Sequence, residues 1–326
     1  MLVAPLAGCS RGSGMADTSA APASGSATTA FAQPVSVQNC GRTETFDAPP
    51  QRIITLNGHV TETLIALGPG DRIVGSAYPD SPPAPEIADA YNAIPQLSGR
   101  FPTAEQVLDQ NPDLVVGGMT SAFADKDGRG RDALEAAGIA TFLFSEYCGD
   151  GFTGLEVLRN DFTQLGQVLG TPEQAKETVD GIVSGLDSIR DRIDASGAAP
   201  VSTFFYDSGT DQPTTIGTRG VGSVIAEYAG ARNITPDSPK PYFPTSWETV
   251  GERAPEAIVV FDYGDQTAQQ KIDFLKNQPI MATTPAVQND RFVVVPLADM
   301  FESPRMVRAA DTIARGLHPE AFKDAG

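Results

Sequence analysis

The alternation of short apolar runs with helical segments constrains the fold of this chain more than any other feature. From Arg52 onward, the runs RIITL, RIVGSA, DLVVGG and ATFLF alternate with helical patterns that end at Gly or Pro. A second set follows in STFFY, AIVVF and FVVVP. Strands that alternate with helices predict parallel sheets covered by helices on both faces. The chain is therefore expected to be an α/β protein with two lobes.

The most helical part of the sequence lies between the two sets. One helix is predicted over 153–169, and a second begins at Pro172 after Gly170 and Thr171 and runs to about Ala195. In the second helix, apolar residues recur at three- and four-residue steps: Val179, Ile182, Val183, Leu186, Ile189 and Ile193. At about 1.5 Å per residue this helix is roughly 35 Å long, the width of a lobe. It is predicted to join the two lobes.

Composition excludes several classes of partner. The chain has 326 residues, 40% of them hydrophobic, which is enough for a sizeable core. Its net charge of -18 and pI of about 4.4 argue against nucleic acid, because no basic run would neutralise phosphates. No apolar stretch reaches the roughly 18 to 20 residues of a membrane span.

The N-terminal sequence resembles a bacterial lipobox. Small residues precede cysteine in Leu6-Ala7-Gly8-Cys9, which predicts lipid attachment, such as palmitate, at Cys9. The expected signal peptide is truncated, because eight residues precede Cys9 and none is Lys or Arg. A chance apolar start with an ordinary cysteine is the alternative. The following residues to about Gln38 are rich in Ser, Gly, Ala and Thr, which predicts a disordered tether.

If Cys9 carries lipid, Cys40 and Cys148 remain as a disulfide pair in an oxidising compartment. Two free thiols are the alternative. The predicted organisation is a truncated signal peptide with a lipobox at 1–9, a disordered tether at 10–38, an N-terminal lobe at 39–152, a helical connector at 153–198 with its spanning helix at 172–195, and a C-terminal lobe at 199–326.

One motif occurs in both lobes. TAEQVLDQNPDLVV and SWETVGERAPEAIVV each read as a short helix with a Glu in its first turn, then a Pro and a buried strand. Glu105 and Glu248 lie 143 residues apart. Each has a local explanation: Thr103 with Gln106 makes a capping box, and a first-turn carboxylate stabilises a helix by roughly 0.3 to 1 kcal/mol. That explanation does not account for the match between the lobes.

These features together resemble the substrate-binding lipoproteins of the iron-siderophore and cobalamin class of ABC importers. The resemblance covers about Cys40 to Phe322 and is carried by PQRIITLNGHVTETLIALGPGDRIVG, PTAEQVLDQNPDLVVGG, TSWETVGERAPEAIVV and NDRFVVVPLAD. It implies two Rossmann-like lobes with mostly parallel sheets, one long connecting helix and a ligand cleft between the lobes.

The resemblance also implies partners and roles. The protein would be a monomer, lipid-anchored at the extracytoplasmic face of the cell membrane, with no cofactor of its own and no catalytic activity. Glu105 and Glu248 would dock with arginines of a dimeric permease that is coupled to a cytoplasmic ATPase. A ligand-sensing surface lipoprotein without transport is the alternative.

The family's ligand lies where strand ends and helix starts of the two lobes face each other. Carried over by position, the implied ligand-binding residues are Asn57, His59, Tyr78, Thr120, Phe123, Tyr147, Tyr206, Asp207, Arg219, Trp247, Tyr263, Phe301 and Arg305. An aromatic residue at a strand end is packed in the core about as often as it contacts a ligand. Trp247 in particular could pack against the helix that carries Glu248.

A ferric siderophore is the first expectation for the ligand. Haem, cobalamin or another anionic cofactor-like ligand is the alternative, the last because FYDSGTD and TFLFSEYC look like a subgroup proposed to take such compounds, including a deazaflavin precursor. Capture of a free metal ion is disfavoured, since the chain has two histidines, His59 and His318. The phosphate-loop, dinucleotide and zinc-protease motifs are missing from the sequence, and no enzyme is predicted.

Overall fold

The computed structural model describes residues 1, 2, 4, 30–79, 81–148 and 154–323. Cys9 and most of the predicted tether lie outside the described residues. Within those ranges, none of the helices combines the length and the apolar character that crossing a bilayer requires.

A β-hairpin precedes the N-terminal lobe. Strand β1 (Val35–Asn39) pairs antiparallel with β2 (Arg42–Phe46). The hairpin overlaps the predicted tether, which extended to residue 38. The reason is an alternation of apolar and polar residues that buries Val37 on one face of the ribbon.

Two sets of contacts fasten this hairpin to the lobe. Cys40, which lies in the turn of the hairpin, forms a disulfide with Cys148, and the Cα atoms of the two residues are 5.0 Å apart. The buried amide of Asn39 also pairs with the backbone of Leu143, donating to its carbonyl at 2.7 Å and accepting from its N–H at 2.8 Å.

The N-terminal lobe, in its described residues, is built on a five-stranded parallel sheet with the strand order β5-β4-β3-β6-β7. All four side chains of the central strand are buried, as expected for a sheet covered on both faces. The strands are β3 (Ile53–Leu56), β4 (Ile73–Ala77), β5 (Gln96–Ser98), β6 (Leu114–Gly117) and β7 (Ala140–Leu143). The helices are α1 (Gly58–Ala66), α2 (Ala88–Asn92), α3 (Ala104–Leu108) and α4 (Arg131–Ala136).

Two consecutive helices join the lobes, α5 (Leu155–Leu169) and α6 (Pro172–Ser196). The long helix begins at Pro172 as predicted and ends one residue beyond the predicted 195, at Ser196. Its apolar positions at the predicted spacing are buried except Val183, which is partly buried against the same core. A left-handed glycine follows each helix, Gly170 and Gly197, so both helices end in a conformation that glycine adopts freely.

The C-terminal lobe has, among the described residues, a four-stranded parallel sheet with the order β10-β8-β12-β13 and a separate antiparallel pair, β9 with β11. The strands are β8 (Val201–Tyr206), β9 (Thr214–Ile216), β10 (Ala231–Asn233), β11 (Tyr242–Pro244), β12 (Ala257–Asp262) and β13 (Phe292–Pro296). The helices are α7 (Val221–Tyr228), α8 (Trp247–Glu252), α9 (Ala268–Asn277), α10 (Pro285–Gln288) and α11 (Met306–Leu317).

One large apolar core runs through both lobes. It includes Leu64 and Leu114 of the N-terminal lobe, Leu186 of the long helix, and Phe205 and Ile313 of the C-terminal lobe, all fully buried. The two lobes therefore share a packed core, and the carboxyl ends of their parallel strands are brought to a common cleft.

Candidate ligand-binding site

The cleft lies at the strand ends of both sheets, where open α/β proteins bind ligands. It encloses a cavity of about 380 Å³. Residues that follow β4, β5, β6, β12 and β13 line it: Tyr78, Pro79, Gly99, Arg100, Met119, Tyr263, Gly264, Asp265, Leu297 and Phe301. Of the residues predicted to bind ligand, the structure brings Tyr78, Tyr263 and Phe301 together in this lining.

Tyr78 forms the aromatic wall of the N-terminal lobe. Its ring stacks on Phe101, with centroids 4.6 Å apart and ring planes inclined by 23°. Tyr78 has a left-handed backbone with φ of 55°, and Asn57, at the end of the neighbouring β3, has φ of 132°. Such conformations are unfavourable for residues other than glycine and concentrate at functional sites. The backbone therefore marks the same strand ends as the cavity.

Tyr263 forms the facing wall and is held by polar contacts. Its hydroxyl lies beside the carboxylate of Asp207, and its ring centroid lies 4.0 Å from the ammonium nitrogen of Lys271. Burial raises the pKa of Asp207, an effect that the Tyr263 hydrogen bond and the nearby Lys271 partly oppose. Burial also lowers the pKa of Lys271.

Phe301 and His59 close the floor of the cleft from opposite lobes. Their rings stack with centroids 4.6 Å apart and an interplanar angle of 24°. The His59 side chain is buried, with 3% of its surface exposed. His59 thus packs under the aromatic floor and does not line the cavity.

Arg305 bridges the lobes instead of facing the cleft. Its Nε lies 3.3 Å from Oε2 of Glu62 in α1 and 3.4 Å from Oδ1 of Asp299, and all three side chains are buried. Its Nη atoms donate to Ser81 Oγ and to the Pro82 carbonyl of the N-terminal lobe, each at 3.0 Å. Burial raises the pKa of Glu62, and the Arg305 charge opposes that rise. Arg305 was predicted to contact ligand, but both of its Nη atoms donate within the protein and its Nε lies beside two buried carboxylates.

Three buried carboxyl groups meet where the lobes join beneath the cleft. We name Glu146, Asp161 and Glu302 the carboxyl junction. Glu146, which follows β7, accepts the N–H of Val221 at the start of α7 at 3.2 Å, and Asp161 accepts the N–H of Ser145 at 2.5 Å. Glu302 follows β13, and burial together with the charges of Asp161 and Glu146 raises its pKa well above the ordinary value.

Burial favours the protonated form of the carboxyl junction. Burial raises the pKa of Glu146 to about 8 and also raises those of Asp161 and Glu302. Burial favours the protonated form of both Asp161 and Glu302, and for Glu302 the like charges of neighbouring carboxylates act in the same direction. The junction therefore links lobe docking to proton binding.

The two matched glutamates are exposed on short helices at the protein surface. Thr103 and Gln106 form the predicted capping box at the start of α3, and Ser246 caps α8 by accepting the N–H of Thr249. Glu105 and Glu248 each lie in the first turn, with exposed side chains. Both carboxylates are therefore available to a partner.

The other predicted ligand residues lie elsewhere. Tyr206, Phe123 and Trp247 are buried in the apolar clusters beside the sheets, and the Trp247 indole N–H donates to the Thr210 carbonyl at 2.8 Å. The Asn57 side chain accepts from the N–H of Gly118 at 3.2 Å. The remaining four lie outside the cavity lining: Thr120, Tyr147, Asp207 and Arg219.

Arg100, Phe101 and Asp265 are among the residues of the cleft region that escaped the sequence analysis. Arg100 and Phe101 follow the three-residue strand β5, which is too short to show a strand pattern. Asp265 lies two residues after Tyr263, in the turn that follows β12, so extending the candidates by one turn would have included it. Among the described residues, no three His, Cys, Asp or Glu side chains are grouped so as to hold a metal ion.

Comparison with known proteins identifies the fold. A sequence profile described as periplasmic binding protein matches residues 53–297. The vitamin B12-binding protein of Pectobacterium carotovorum is 28% identical over 273 residues, which are 83% of this chain and 89% of the relative.

Two solved structures are also similar. A periplasmic binding protein from Veillonella parvula has a TM-score of 0.78 at 25% identity, covering 88% of this chain and 99% of that one. An ABC-type Fe3+-hydroxamate transport system protein from Saccharomonospora viridis has a TM-score of 0.75 at 25% identity, covering 87% and 99%. The predicted resemblance and fold class are confirmed. This chain belongs to the periplasmic binding protein family, in the class whose two α/β lobes are joined by a long helix.

Proposed function

We propose that the protein captures a ferric siderophore in the cleft and delivers it to the permease of an ABC importer. The observation that carries this proposal is the pair of aromatic walls, Tyr78 on one lobe and Tyr263 with Phe301 on the other. A siderophore fills the coordination shell of iron with its own oxygens. The protein then grips the outside of the complex through ring faces and hydrogen bonds.

The charge of the lining supports an anionic or polar chelate. Arg100 lines the cavity from the N-terminal lobe and Asp265 from the C-terminal lobe. The guanidinium can pair with an anionic oxygen of the complex, and the carboxylate can accept from its amide or hydroxyl groups. A solved relative from Saccharomonospora viridis is described as part of an Fe3+-hydroxamate transport system, in accord with this proposal.

Cobalamin is the second candidate, and one observation favours it. Arg305 is engaged with Glu62 and Asp299, which leaves the cleft fewer cationic groups than the sequence indicated. A corrinoid needs mainly apolar and aromatic walls. The relative from Pectobacterium carotovorum is named a vitamin B12-binding protein.

Delivery is proposed to use the two exposed glutamates. Glu105 and Glu248 would each dock with an arginine of the permease, one on each lobe. The family membership supports an extracytoplasmic binding protein without catalytic activity. The lipid anchor at Cys9 rests on the lipobox sequence, and comparing Cys9→Ser with the wild type by membrane fractionation tests it.

Titration calorimetry of the purified protein tests the ligand. The probes are a ferric tris-hydroxamate, a ferric tris-catecholate, haem and cyanocobalamin, and an iron chelate is expected to bind with Kd of about 1 μM or tighter. Tyr78→Ala should weaken binding by about threefold to tenfold because it removes the stacked ring, whereas Tyr78→Phe should not. Ser184→Ala, at an exposed position of the long helix and outside the lining, is the control. Binding of cyanocobalamin or haem alone would contradict the siderophore proposal.

A further inference from the structure

A buried lysine lies behind the tyrosine ring of the C-terminal wall. Lys271 belongs to α9, and 3% of its surface is exposed. Its Nζ is 4.0 Å from the centroid of the Tyr263 ring. Tyr263 lines the cleft cavity, and Lys271 is not part of that lining. One ring face is therefore covered by the buried ammonium, which leaves the opposite face as the one that a ligand in the cleft can reach.

The ammonium and the ring are both fixed before any ligand arrives. Nζ of Lys271 donates to the carbonyl of Asp207 at 2.8 Å and to that of Phe261 at 2.7 Å, at the ends of β8 and β12. The Tyr263 hydroxyl lies beside the Asp207 carboxylate, and the Tyr263 backbone forms a β-bridge with Gln266. Two carbonyl acceptors and the carboxylates of Asp207 and Asp262 favour the charged form of Lys271. The ring is thus held with a cation on its rear face.

A cation against one face of an aromatic ring attracts its π electrons and makes the opposite face less negative. Such a face stacks more favourably on an electron-rich partner. We propose that Lys271 and Tyr263 form a polarised stacking platform that selects metal chelates bearing electron-rich aromatic rings, such as catecholates, over aliphatic hydroxamates. This inference rests on the proposed capture of a metal chelate and names its chemistry. Lys271 acts through Tyr263 and is a positioning residue.

The test measures a ratio of affinities, which a purely structural role would leave unchanged. The probes are a ferric tris-catecholate and a ferric tris-hydroxamate without aromatic rings, titrated against the wild type and Lys271→Met. The preference for the catecholate is expected to fall by about threefold to tenfold in the variant. Lys271→Arg keeps a cation behind the ring and should retain the preference.

Repeating the comparison in a Tyr263 variant shows whether Lys271 acts on the affinity ratio through the Tyr263 ring. Tyr263→Leu removes the platform, so adding Lys271→Met to it should leave the ratio of the two affinities unchanged. Circular dichroism and thermal unfolding check that each variant is folded. If Lys271→Met does not fold, Lys271→Gln replaces it, because the amide still donates to the carbonyls without a charge.

The outcomes separate this inference from the proposed function. Equal weakening of both complexes by Lys271→Met overturns the platform, as does a wild type that binds only the hydroxamate, while capture of a siderophore stands. A wild type that binds neither iron complex overturns both proposals. A preference that is lost in Lys271→Met and kept in Lys271→Arg supports the platform.

Discussion

Each lobe exposes a glutamate in the first turn of a short helix, but the two helices are stabilised in different ways. In the N-terminal lobe, Glu105 lies on a five-residue helix that has a reciprocal capping box and buries one side chain, Val107. In the C-terminal lobe, Glu248 lies on a helix with a serine cap that buries Trp247 and Val250. Each support explains its own helix, but neither explains why both lobes expose a first-turn carboxylate. The property to test is therefore whether the two exposed carboxylates act together.

Charge reversal at both glutamates should have the largest effect. In Glu105→Lys/Glu248→Lys, two carboxylates proposed to meet permease arginines become repelling cations. Uptake of the ligand by cells or proteoliposomes is expected to fall at least tenfold, with ligand affinity unchanged. Comparing the two single variants shows whether the lobes contribute equally.

The matched control makes the same change in net charge elsewhere. Glu173 and Glu177 are exposed on the long helix, and Glu173→Lys/Glu177→Lys should leave uptake near the wild-type level. Unaltered transport in the docking variant would contradict the two-point docking proposal and favour a sensing role.

Removing Arg305 should weaken the contact between the two lobes and lower the stability of the protein. Arg305→Met leaves the buried carboxylate of Glu62 without its guanidinium partner, whereas Asp299 keeps its ion pair with Arg308. A loss of about 3 to 5 kcal/mol in the free energy of unfolding is expected from urea denaturation, as for other broken buried ion pairs. The loss should grow with pH, because Glu62 without its partner binds a proton more readily and escapes the penalty in acid.

Arg315 offers the control for this variant. It pairs with Asp311 on the surface of α11 with half of its side chain exposed, and Arg315→Met should change stability by less than about 0.5 kcal/mol. If Arg305→Met changed ligand affinity without changing stability, the result would support the ligand-binding role that the sequence predicted for Arg305.

The architecture was predictable because its determinants are local and periodic. Apolar runs such as the one from Ile53 are buried throughout, and the three- and four-residue spacing in α6 fixed its inward face. Pro172 and the capping box at Thr103 predicted where two helices begin, because proline and capping residues have strong preferences for helix N-termini. The strand ends that form the cleft followed from this order of elements.

The cleft lining was only partly predictable because it depends on long-range packing. Tyr206 stands at a strand end as Tyr263 does, but Tyr206 is buried in the sheet-side core while Tyr263 lines the cavity. Arg305 meets Glu62 across 243 positions of sequence, which no spacing rule indicates. Lys271 and the carboxyl junction reveal their roles only through contacts between elements that are distant in the sequence.

The carboxyl junction predicts a pH dependence of stability that is smaller than the Arg305 effect. Its groups have higher pKa values in the folded protein than their ordinary values, so the folded state binds protons more tightly than the unfolded chain. The stabilisation is full below about pH 4, where the carboxyls are protonated in both states. It is lost as pH rises towards about 8, where Glu146 ionises in the folded protein.

Glu302→Gln removes one ionisable group and lets an amide N–H donate to Asp161. The Tm of the wild type is expected to fall between pH 5.5 and pH 8.5, and the variant should reduce that fall by about 3 °C or more. Glu227→Gln, at an exposed position on α7, should leave the pH profile of the wild type unchanged. If Tm falls with pH equally in Glu302→Gln and in the wild type, the carboxyl junction does not cause the pH dependence of stability. This follows because the substitution alters one of the buried carboxyl groups.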